Sequence, residues 1–375
     1  MTSYLPYGHQ WIDDDDVAAV VSAMKGDWLT QGPAIEAFEA AVSGYVGAAH
    51  AVAFCNGTAA LHGAYHAAGV VAGDEVIVPP LTFAATANAA VYLGARPVFA
   101  DISPETLCLD AACAAEKVTE RTKVVAPVSY AGFPADVEGC RRAAPDAVIV
   151  EDGCHALGGE RGSRKIGSEA DMTVFSFHPV KHVTTGEGGM VVTDDGTFAR
   201  KLRLFRSHGI TKDPDRMERP DEGPWYGEMI DLGYNYRLTD LQAALGLSQM
   251  RRLDAFVARR RHLAHLYDEA LGGLERVTLP PRHKGHAYHL YPVRLPSSRR
   301  REIFEGLRKA GIGVQVHYLP VHLHPYYRRR FGLAEGDFPR AEAAYGGEIS
   351  LPLFPAMADG DVDRVVEALR ALLKS

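Results

Sequence analysis

The segment around Lys181 combines one amine with two apolar runs. Residues 172–177 and 190–193 have the β-branched and aromatic character of buried strands, which predicts that Lys181 lies on the connection between them. A lysine held between buried strands is partly desolvated, and this favours the neutral amine that Schiff-base chemistry with a carbonyl compound requires. A solvated lysine on a surface hairpin is the alternative, and this segment alone does not decide between the two.

A carboxylate is predicted to lie at the same edge of the sheet as the lysine. Asp152 follows the apolar run 148–150, and ligands of doubly wound sheets collect beyond the carboxyl ends of the strands. Asp152 precedes Lys181 by 29 residues (181 − 152), which allows one further strand and turn to return the chain to that edge. A helix N-cap is an alternative role for Asp152 that its position does not exclude.

Two glycine-containing segments and one aromatic residue complete the pattern. Strand-like residues 50–54 lead through Gly57 and Thr58 into an alanine-rich helix, an arrangement that binds anions, although a plain strand-to-helix connection has the same pattern. Phe83 follows another strand and is expected either to stack on a flat cofactor or to fill the core. The glycines at 186, 188 and 189 are predicted to shape a turn, admit a ligand, or both.

Together these residues match the needs of pyridoxal phosphate. That cofactor requires an amine for its aldehyde, a carboxylate for its pyridinium nitrogen and a helix terminus for its phosphate. Lys181, Asp152 and the Gly57–Thr58 turn supply these groups, and Phe83 supplies a ring to stack on it. The sequence therefore predicts a pyridoxal phosphate enzyme.

The order of predicted elements indicates the fold class. Strands and helices alternate from residue 50 to residue 193, which predicts an α/β doubly wound sheet, mixed but mainly parallel. A Thr239-x-x-Gln242 capping box is predicted to begin a long helix through about residue 270. We expect a large domain over 1–250 and a smaller α+β domain over 251–375, with the boundary inside this helix. Within the smaller domain, strands are predicted at 286–295 and 314–318.

Composition excludes several classes of protein. The chain has 375 residues and a net charge of −7, so neither nucleic acid nor an acidic membrane surface is an expected partner. We see no secretory signal and no segment long enough to span a bilayer, which predicts a cytoplasmic location. The five cysteines are scattered, as expected for reduced thiols, and no CxxC pair suggests a metal site.

The chain resembles the DegT/DnrJ/EryC1/StrS family of sugar aminotransferases over nearly its whole length. Seven motifs carry the resemblance, and they lie at Leu29–Gly32, Asn56–Leu61, Thr82–Asn88, Glu151–His155, Ser176–Lys181, Gly186–Gly189 and Gly233–Arg237. Three further segments resemble the pseudaminic-acid branch of that family, namely Ser176–Thr185, Phe205–Gly209 and Gln315–Pro320. The resemblance implies a fold-type I, aspartate-aminotransferase-like fold.

The resemblance also implies roles for individual residues at the cofactor. Lys181 would form the aldimine with pyridoxal phosphate and move the proton, and Asp152 would pair with the pyridinium nitrogen. The other implied cofactor contacts are Gly57, Thr58 and Ser176 at the phosphate, Phe83 stacked on the ring, His155 near its phenolic oxygen, and Asn235 reaching the phosphate from a partner subunit. Such a composite site would make the protein an obligate homodimer.

A second set of residues is implied for the sugar-nucleotide pocket. These are Tyr7, Asp27, Trp28, Leu29, Thr30, Glu187, His317, Tyr318, Leu319 and Pro320, with Thr58, Ser176 and Asn235 shared with the cofactor. The implied reaction moves the amino group of L-glutamate to C4 of a UDP-linked 4-keto-6-deoxy-N-acetylhexosamine in two ping-pong halves.

Several alternatives stay open within and outside this reaction class. Relatives act on other keto-sugars, such as GDP-linked perosamine precursors or UDP-linked 4-keto-pentoses. Dehydratase relatives have histidine in place of the lysine, so Lys181 argues against them. A non-catalytic sugar-nucleotide sensor would be expected to lack Asp152 or Lys181, and both are present.

Overall fold

A computed structural model describes residues 4–374. The helices are α1 Asp14–Lys25, α2 Pro33–Val46, α3 Gly57–Ala67, α4 Ala85–Tyr92, α5 Ala111–Ala115, α6 Val137–Ala143, α7 Gly196–Phe205, α8 Asp240–Met250, α9 Leu253–Leu271, α10 Ser297–Lys309, α11 Pro325–Phe331, α12 Pro339–Gly347 and α13 Asp359–Lys374. The strands are β1 His50–Phe54, β2 Glu75–Val78, β3 Arg96–Phe99, β4 Thr122–Val125, β5 Val148–Asp152, β6 Glu160–Arg161, β7 Arg164–Lys165, β8 Met172–Ser176, β9 Gly189–Thr193, β10 Ile210–Thr211, β11 Glu228–Met229, β12 Tyr291–Arg294 and β13 Glu348–Leu351. Over residues 4–374 no helix is both long and apolar enough to cross a membrane.

The main sheet has seven strands in the order β1-β9-β8-β5-β4-β2-β3. Strands β8, β5, β4, β2 and β3 run parallel to one another, whereas β9 runs antiparallel to both β1 and β8. The prediction of a mixed, mainly parallel α/β sheet is therefore confirmed. Because β5 and β8 are adjacent and parallel, with Asp152 opposite Val174, their carboxyl ends open at the same edge.

Helices cover both faces of this sheet, as the continuous apolar strands require. In β1, Val52 and Phe54 pack into the core formed with α3 and α7, whereas Ala51 and Ala53 face the core formed with α2. Successive side chains on a strand point to opposite faces, so one short strand contributes to two cores. All four of these side chains are buried.

The C-terminal region has a separate apolar core. It joins α9, α10, α13 and the β12–β13 pair, and Leu5 from the N-terminal segment packs into it. The predicted strand 286–295 is shorter than expected, since only β12 is regular. The predicted strand 314–318 is absent, with a single bridge from Gln315 to Ser350 in its place. The domain division near residue 250 stays a prediction.

The single long helix predicted after Thr239 is wrong. The capping box between Thr239 and Gln242 is present, but the chain forms two helices, α8 and α9. At the break, Arg252 has φ −108° and ψ 2°, outside the helical range. Its guanidinium is held by the carboxylates of Asp13, at 2.7 Å, and Asp16 on α1. This contact joins the break to α1, a partner 239 residues away (252 − 13) that local pattern does not reveal.

The glycine cluster after Lys181 has two structural roles. Gly186 adopts a left-handed conformation with φ 77°, which glycine tolerates better than other residues. Gly189, the first residue of β9, lies against the start of α3, because a Cβ there would be 2.4 Å from the carbonyl oxygen of Asn56 and 2.8 Å from the nitrogen of Gly57. The absence of a side chain at Gly189 thus allows α3 to begin beside the lysine segment.

Replacing Gly189 by alanine tests this close approach. Gly189→Ala would push backbone against backbone, so we expect a loss of about 1–3 kcal/mol in the free energy of unfolding. The matched control is Gly44→Ala within α2, where a Cβ meets nothing within 4 Å. That change should instead stabilise the protein by about 0.5–1 kcal/mol through helix propensity. Urea unfolding monitored by circular dichroism measures both, and equal midpoints for the two variants would contradict the contact.

Candidate active site

A cavity of about 670 Å³ opens at the carboxyl ends of β5 and β8. It is of the size of small-molecule sites. The sequence-predicted residues that line it are Tyr7, Gly57, Thr58, Phe83, Asp152, His155, Ser176, Lys181, Glu187, His317 and Tyr318. The fold therefore brings an amine, a carboxylate, a helix start and several aromatic rings into one space.

The carboxylate at the floor of this cavity is oriented by two donors. Asp152 is the last residue of β5 and is buried. One carboxylate oxygen accepts a hydrogen bond from the Thr86 hydroxyl at 2.7 Å, and the other accepts one from the Cys154 N–H at 3.2 Å. No described helix begins directly after Asp152, so the N-cap alternative is wrong. Asp152 instead presents an oriented carboxylate to the cavity.

Lys181 lies on the segment between β8 and β9 at the cavity wall. Its Nζ is 3.3 Å from Nε2 of His289. Burial is the main cause that lowers the pKa of Lys181 from 10.5 to about 8; Cys154 and Asp152 oppose this shift, whereas Arg260 adds to it. The alternative of a solvated surface lysine is therefore wrong, because burial desolvates the amine and brings its deprotonation about two pH units closer to physiological pH.

Arg260 brings a further positive charge close to the lysine. It is among the largest fully buried side chains, and its guanidinium donates to the backbone carbonyls of His289 and Leu353 and, at 3.5 Å, to that of Val180. Burial lowers the pKa of Arg260 to about 9. Backbone carbonyl oxygens solvate this cation in place of water, and its positive charge disfavours protonation of the Lys181 amine.

Buried histidines surround the lysine. Burial lowers the pKa of His155, His182 and His289 well below 6.5, so these rings are neutral. His155 Nδ1 accepts from the Ala131 N–H at 3.3 Å, which places its proton on Nε2. That Nε2–H is 3.2 Å from the hydroxyl of Tyr318 at the cavity wall. His155 can therefore donate a hydrogen bond into the cavity.

The start of α3 provides an anion-binding surface opposite the lysine. Asn56 caps the helix by accepting from the Ala59 N–H at 2.8 Å, and the first helical residues are Gly57 and Thr58. N–H groups of the first turn have no partner within their helix, and the helix dipole is positive there. A Cβ on Gly57 would be 3.2 Å from the Ser176 hydroxyl oxygen, so the helix start and this hydroxyl share one small space. Together they could hold a phosphate group.

Aromatic rings form the remaining walls. Phe83 is 59% exposed, so it does not fill the core, and its ring centroid is 5.8 Å from that of Tyr318. Tyr7 packs against His317 with centroids 5.4 Å apart. These rings suit a flat ligand.

Some predicted residues do not line this cavity within one chain. They are Asp27, Trp28, Leu29, Thr30, Asn235, Leu319 and Pro320. The first four form an exposed loop, whose Thr30 bridges to Thr239 at the start of α8. Asn235 is also exposed, as expected for a residue that serves a partner subunit. Their roles stay predictions.

Sequence reasoning missed several residues of the site. Thr86, which holds Asp152, lies in α4 and within the Thr82–Asn88 motif, but the motif alone assigns this threonine no role. His289 and Tyr236 also line the cavity. His289 lies within the predicted strand 286–295, and the sequence pattern of a strand does not show that this side chain faces the cavity.

Comparisons with known proteins cover nearly the whole chain and agree on one family of proteins. The model of the DegT/DnrJ/EryC1/StrS aminotransferase family matches residues 10–370. SpsC of Bacillus subtilis, a spore coat polysaccharide biosynthesis protein, is 41% identical over 99% of this chain and 97% of its own. The structure of Helicobacter pylori PseC, an aminotransferase involved in the biosynthesis of pseudoaminic acid, is similar with TM-score 0.92 and 32% identity, covering 99% of this chain and 100% of PseC. The PLP-form of Spr1654 from Streptococcus pneumoniae has TM-score 0.92 and 30% identity, covering 99% of each chain.

The lowered pKa of Lys181 makes a direct prediction for its reactivity. An amine reacts only after losing its proton, so Lys181 should be reductively methylated half-maximally near pH 8, whereas ordinary lysines require about pH 10.4. Protein freed of bound carbonyl compounds by hydroxylamine and dialysis is methylated across a pH series, and peptide mass spectrometry quantifies each lysine. The exposed lysines of the same digest provide the reference. A Lys181 profile that coincides with theirs would contradict a desolvated amine.

Proposed function

The chain belongs to the DegT/DnrJ/EryC1/StrS aminotransferase family, and we propose that it moves the amino group of L-glutamate to C4 of a UDP-linked 4-keto-6-deoxy-N-acetylhexosamine. It is a sugar aminotransferase whose cofactor is pyridoxal phosphate. The observation that carries the proposal is the amine of Lys181, with its lowered pKa, in one cavity with the carboxylate of Asp152.

The residues of the cavity fit this cofactor. When bound, pyridoxal phosphate supplies an aldehyde that condenses with amines and a conjugated ring that accepts negative charge from the adjoining carbon. Lys181 would hold the aldehyde carbon, and Asp152, oriented by Thr86, would keep the ring nitrogen protonated. Further proposed contacts are Gly57, Thr58 and Ser176 to the phosphate, Phe83 to the ring face, and the Nε2–H of His155 to the phenolic oxygen.

Lys181 is also the proposed proton carrier. With a pKa near 8, its free amine would take a proton from the α-carbon of glutamate and pass it to the former aldehyde carbon of the cofactor. In the second half it would carry a proton from that carbon to C4 of the sugar, so the lysine ends each half in its starting state. Neutral His289 at 3.3 Å from Nζ gives the free amine a hydrogen-bond partner without adding charge. The surrounding burial excludes water that would compete for the proton.

The sugar-nucleotide is proposed to occupy the outer part of the cavity. Tyr7, Glu187, His317 and Tyr318 line it and offer rings and polar atoms that suit a sugar. The similarity to PseC over 99% of this chain supports an acetamido keto-sugar of the pseudaminic acid pathway.

A second candidate is an aminotransferase for another nucleotide-linked keto-sugar of a surface polysaccharide. SpsC, at 41% identity, is more similar in sequence than PseC, at 32%, and is described as a spore coat polysaccharide biosynthesis protein. GDP-linked perosamine precursors and UDP-linked 4-keto-pentoses are the candidates in this class. The amine and carboxylate chemistry would be the same, and only the outer cavity would differ.

We propose further that the enzyme is a homodimer with composite sites. An exposed apolar surface surrounds Asn235, and its residues Ile210, Met229, Ile230, Leu232 and Tyr234 lie on or beside the β10–β11 pair. Met229 and Leu232 are each 63% exposed. Exposed apolar patches of this kind mark protein–protein contacts, and a second copy of the chain would cover this one. Asn235 would then face the cofactor phosphate of its partner.

Offering keto-sugars to the enzyme tests the reaction. The purified protein should show the absorbance of lysine-bound pyridoxal phosphate, and glutamate should bleach it. Adding the UDP-linked 4-keto-6-deoxy-N-acetylhexosamine should restore the band and yield the amino-sugar, identified by mass spectrometry. Lys181→Ala should lack both the band and turnover. Turnover only with GDP-linked keto-sugars or UDP-linked 4-keto-pentoses would replace the proposed substrate, and an unchanged band in Lys181→Ala would overturn the role of the lysine.

Mixing two inactive variants tests the composite site. In a heterodimer of Lys181→Ala and Asn235→Ala subunits, one of the two sites receives Lys181 from one subunit and Asn235 from the other. Random exchange of equal amounts should therefore restore about a quarter of the sites. Activity is measured after exchange has been verified by native mass spectrometry. Verified heterodimers with no regained activity would contradict a contribution of Asn235 to the partner's site.

A further inference from the structure

A chain of hydrogen bonds runs behind the cavity wall from a carboxyl group to a histidine. Nδ1 of His317 lies 2.9 Å from the hydroxyl of Ser350, and that hydroxyl lies 2.5 Å from Oε1 of Glu348. Exposure of His317, Ser350 and Glu348 is 6%, 0% and 2%, so bulk water does not compete for these bonds. His317 lines the cavity, whereas the other two residues lie on β13 behind it.

The direction of one bond in this chain is fixed. Oε2 of Glu348 accepts from the backbone N–H of His317 at 2.8 Å, because a peptide N–H can only donate. The other oxygen, Oε1, is therefore the one that faces Ser350. The serine hydroxyl has a single proton, and the group to which it donates determines whether His317 Nδ1 must donate or accept.

The pKa of the Glu348 carboxyl group lies close to neutral pH. Burial raises the pKa of Glu348 to about 8, against the lowering effects of the Ser350 hydroxyl, the His317 N–H and Arg300. Other ionisable groups near these three hydrogen-bonded residues are the hydroxyls of Tyr7, Tyr130 and Tyr318 and the amine of Lys181. Burial lowers the pKa of His317 to about 3, so its ring stays neutral throughout and has one N–H.

We propose that Glu348 and Ser350 are positioning residues that decide which nitrogen of His317 holds its proton. When Glu348 is protonated on Oε1, it donates to Ser350, Ser350 donates to Nδ1, and the imidazole proton resides on Nε2. When Glu348 has lost its proton to solvent, Ser350 donates to Oε1 and accepts from Nδ1–H. One proton leaves the protein in this change, and the imidazole proton moves from Nε2 to Nδ1.

The consequence concerns the nitrogen that His317 presents to the cavity. Nδ1 is occupied by Ser350, so Nε2 at the other edge of the ring is left for a ligand. It is a donor, suited to a carbonyl or phosphate oxygen, while Glu348 is protonated. It becomes an acceptor, suited to a sugar hydroxyl or an amide N–H, once Glu348 is ionised. This reading of ligand preference rests on the proposed function, whereas the tautomer change itself does not.

Nitrogen NMR of the pyridoxal phosphate-bound enzyme labelled with ¹⁵N-histidine tests the proposal. The signal of His317 is assigned from its loss in His317→Asn. In the wild type, the protonated nitrogen should change from Nε2 to Nδ1 as the pH rises through about 8. A single tautomer of His317 across that range would overturn the proposal.

Glu348→Gln supplies the sharper test. The glutamine oxygen must take the His317 N–H, so its NH₂ faces Ser350 and donates to the hydroxyl. The tautomer with the proton on Nε2 should then persist at every pH. The matched control is Glu342→Gln, which alters a separate, partly buried pair with His322 at 2.8 Å and should leave the change at His317 intact.

Ser350→Ala and a kinetic measurement separate this inference from the proposed function. Removing the hydroxyl should abolish the pH-linked change at His317, whereas Ser350→Thr, which retains a hydroxyl, should preserve it.

With whichever keto-sugar proves to be the substrate, the wild-type KM should change through the same pH range, and Glu348→Gln should remove that change without altering kcat. The NMR result stands without any sugar, so failure of the proposed substrate leaves it intact, and a KM profile shared by both enzymes would refute the effect on binding.

Discussion

The desolvated amine of Lys181 is the constraint on which the site depends. A buried lysine stays neutral only while nearby negative charge does not outweigh the cost of burying its cation. Here Asp152 favours the charged form, whereas burial and Arg260 oppose it, and burial dominates. The adjoining histidines are neutral because the same burial lowers their pKa values. The cavity thus holds an amine with a lowered pKa together with a carboxylate oriented by Thr86.

The sheet determines where these two groups meet. Parallel pairing of β5 with β8 brings the end of each strand to one edge, and the antiparallel return of β9 leaves the lysine segment between them. The start of α3 approaches this segment closely because Gly189 has no side chain and Gly57 lies against Ser176. The helix start and the amine therefore face the same cavity. Close contacts between backbone atoms hold them there, and such contacts are more rigid than contacts made by long polar side chains.

The C-terminal region supplies the surroundings of the amine. Arg260 on α9 holds the carbonyls of His289 and Leu353, and Tyr130 donates to the carbonyl of His317. A series of hydrogen bonds runs from Glu348 on β13 through the Ser350 hydroxyl to His317. The N-terminal sheet thus provides the groups for the proposed cofactor contacts, while the C-terminal region adds the charge of Arg260 near Lys181 and places His317 at the cavity wall.

The sequence alone predicted Lys181, Asp152, the start of α3 and Phe83 as site residues, because each lies at or after the end of a strand and its type has a distinct chemical use, and all of them line the cavity. The mainly parallel sheet was also predictable, since apolar strands alternate regularly with helices. Only the tertiary structure revealed that Thr86 holds Asp152, that His289 touches Lys181 and that α8 ends where Arg252 meets α1. The physical reason is separation along the chain. His289 is 108 residues from Lys181, and such contacts depend on how cores pack, which no local pattern of residue types records.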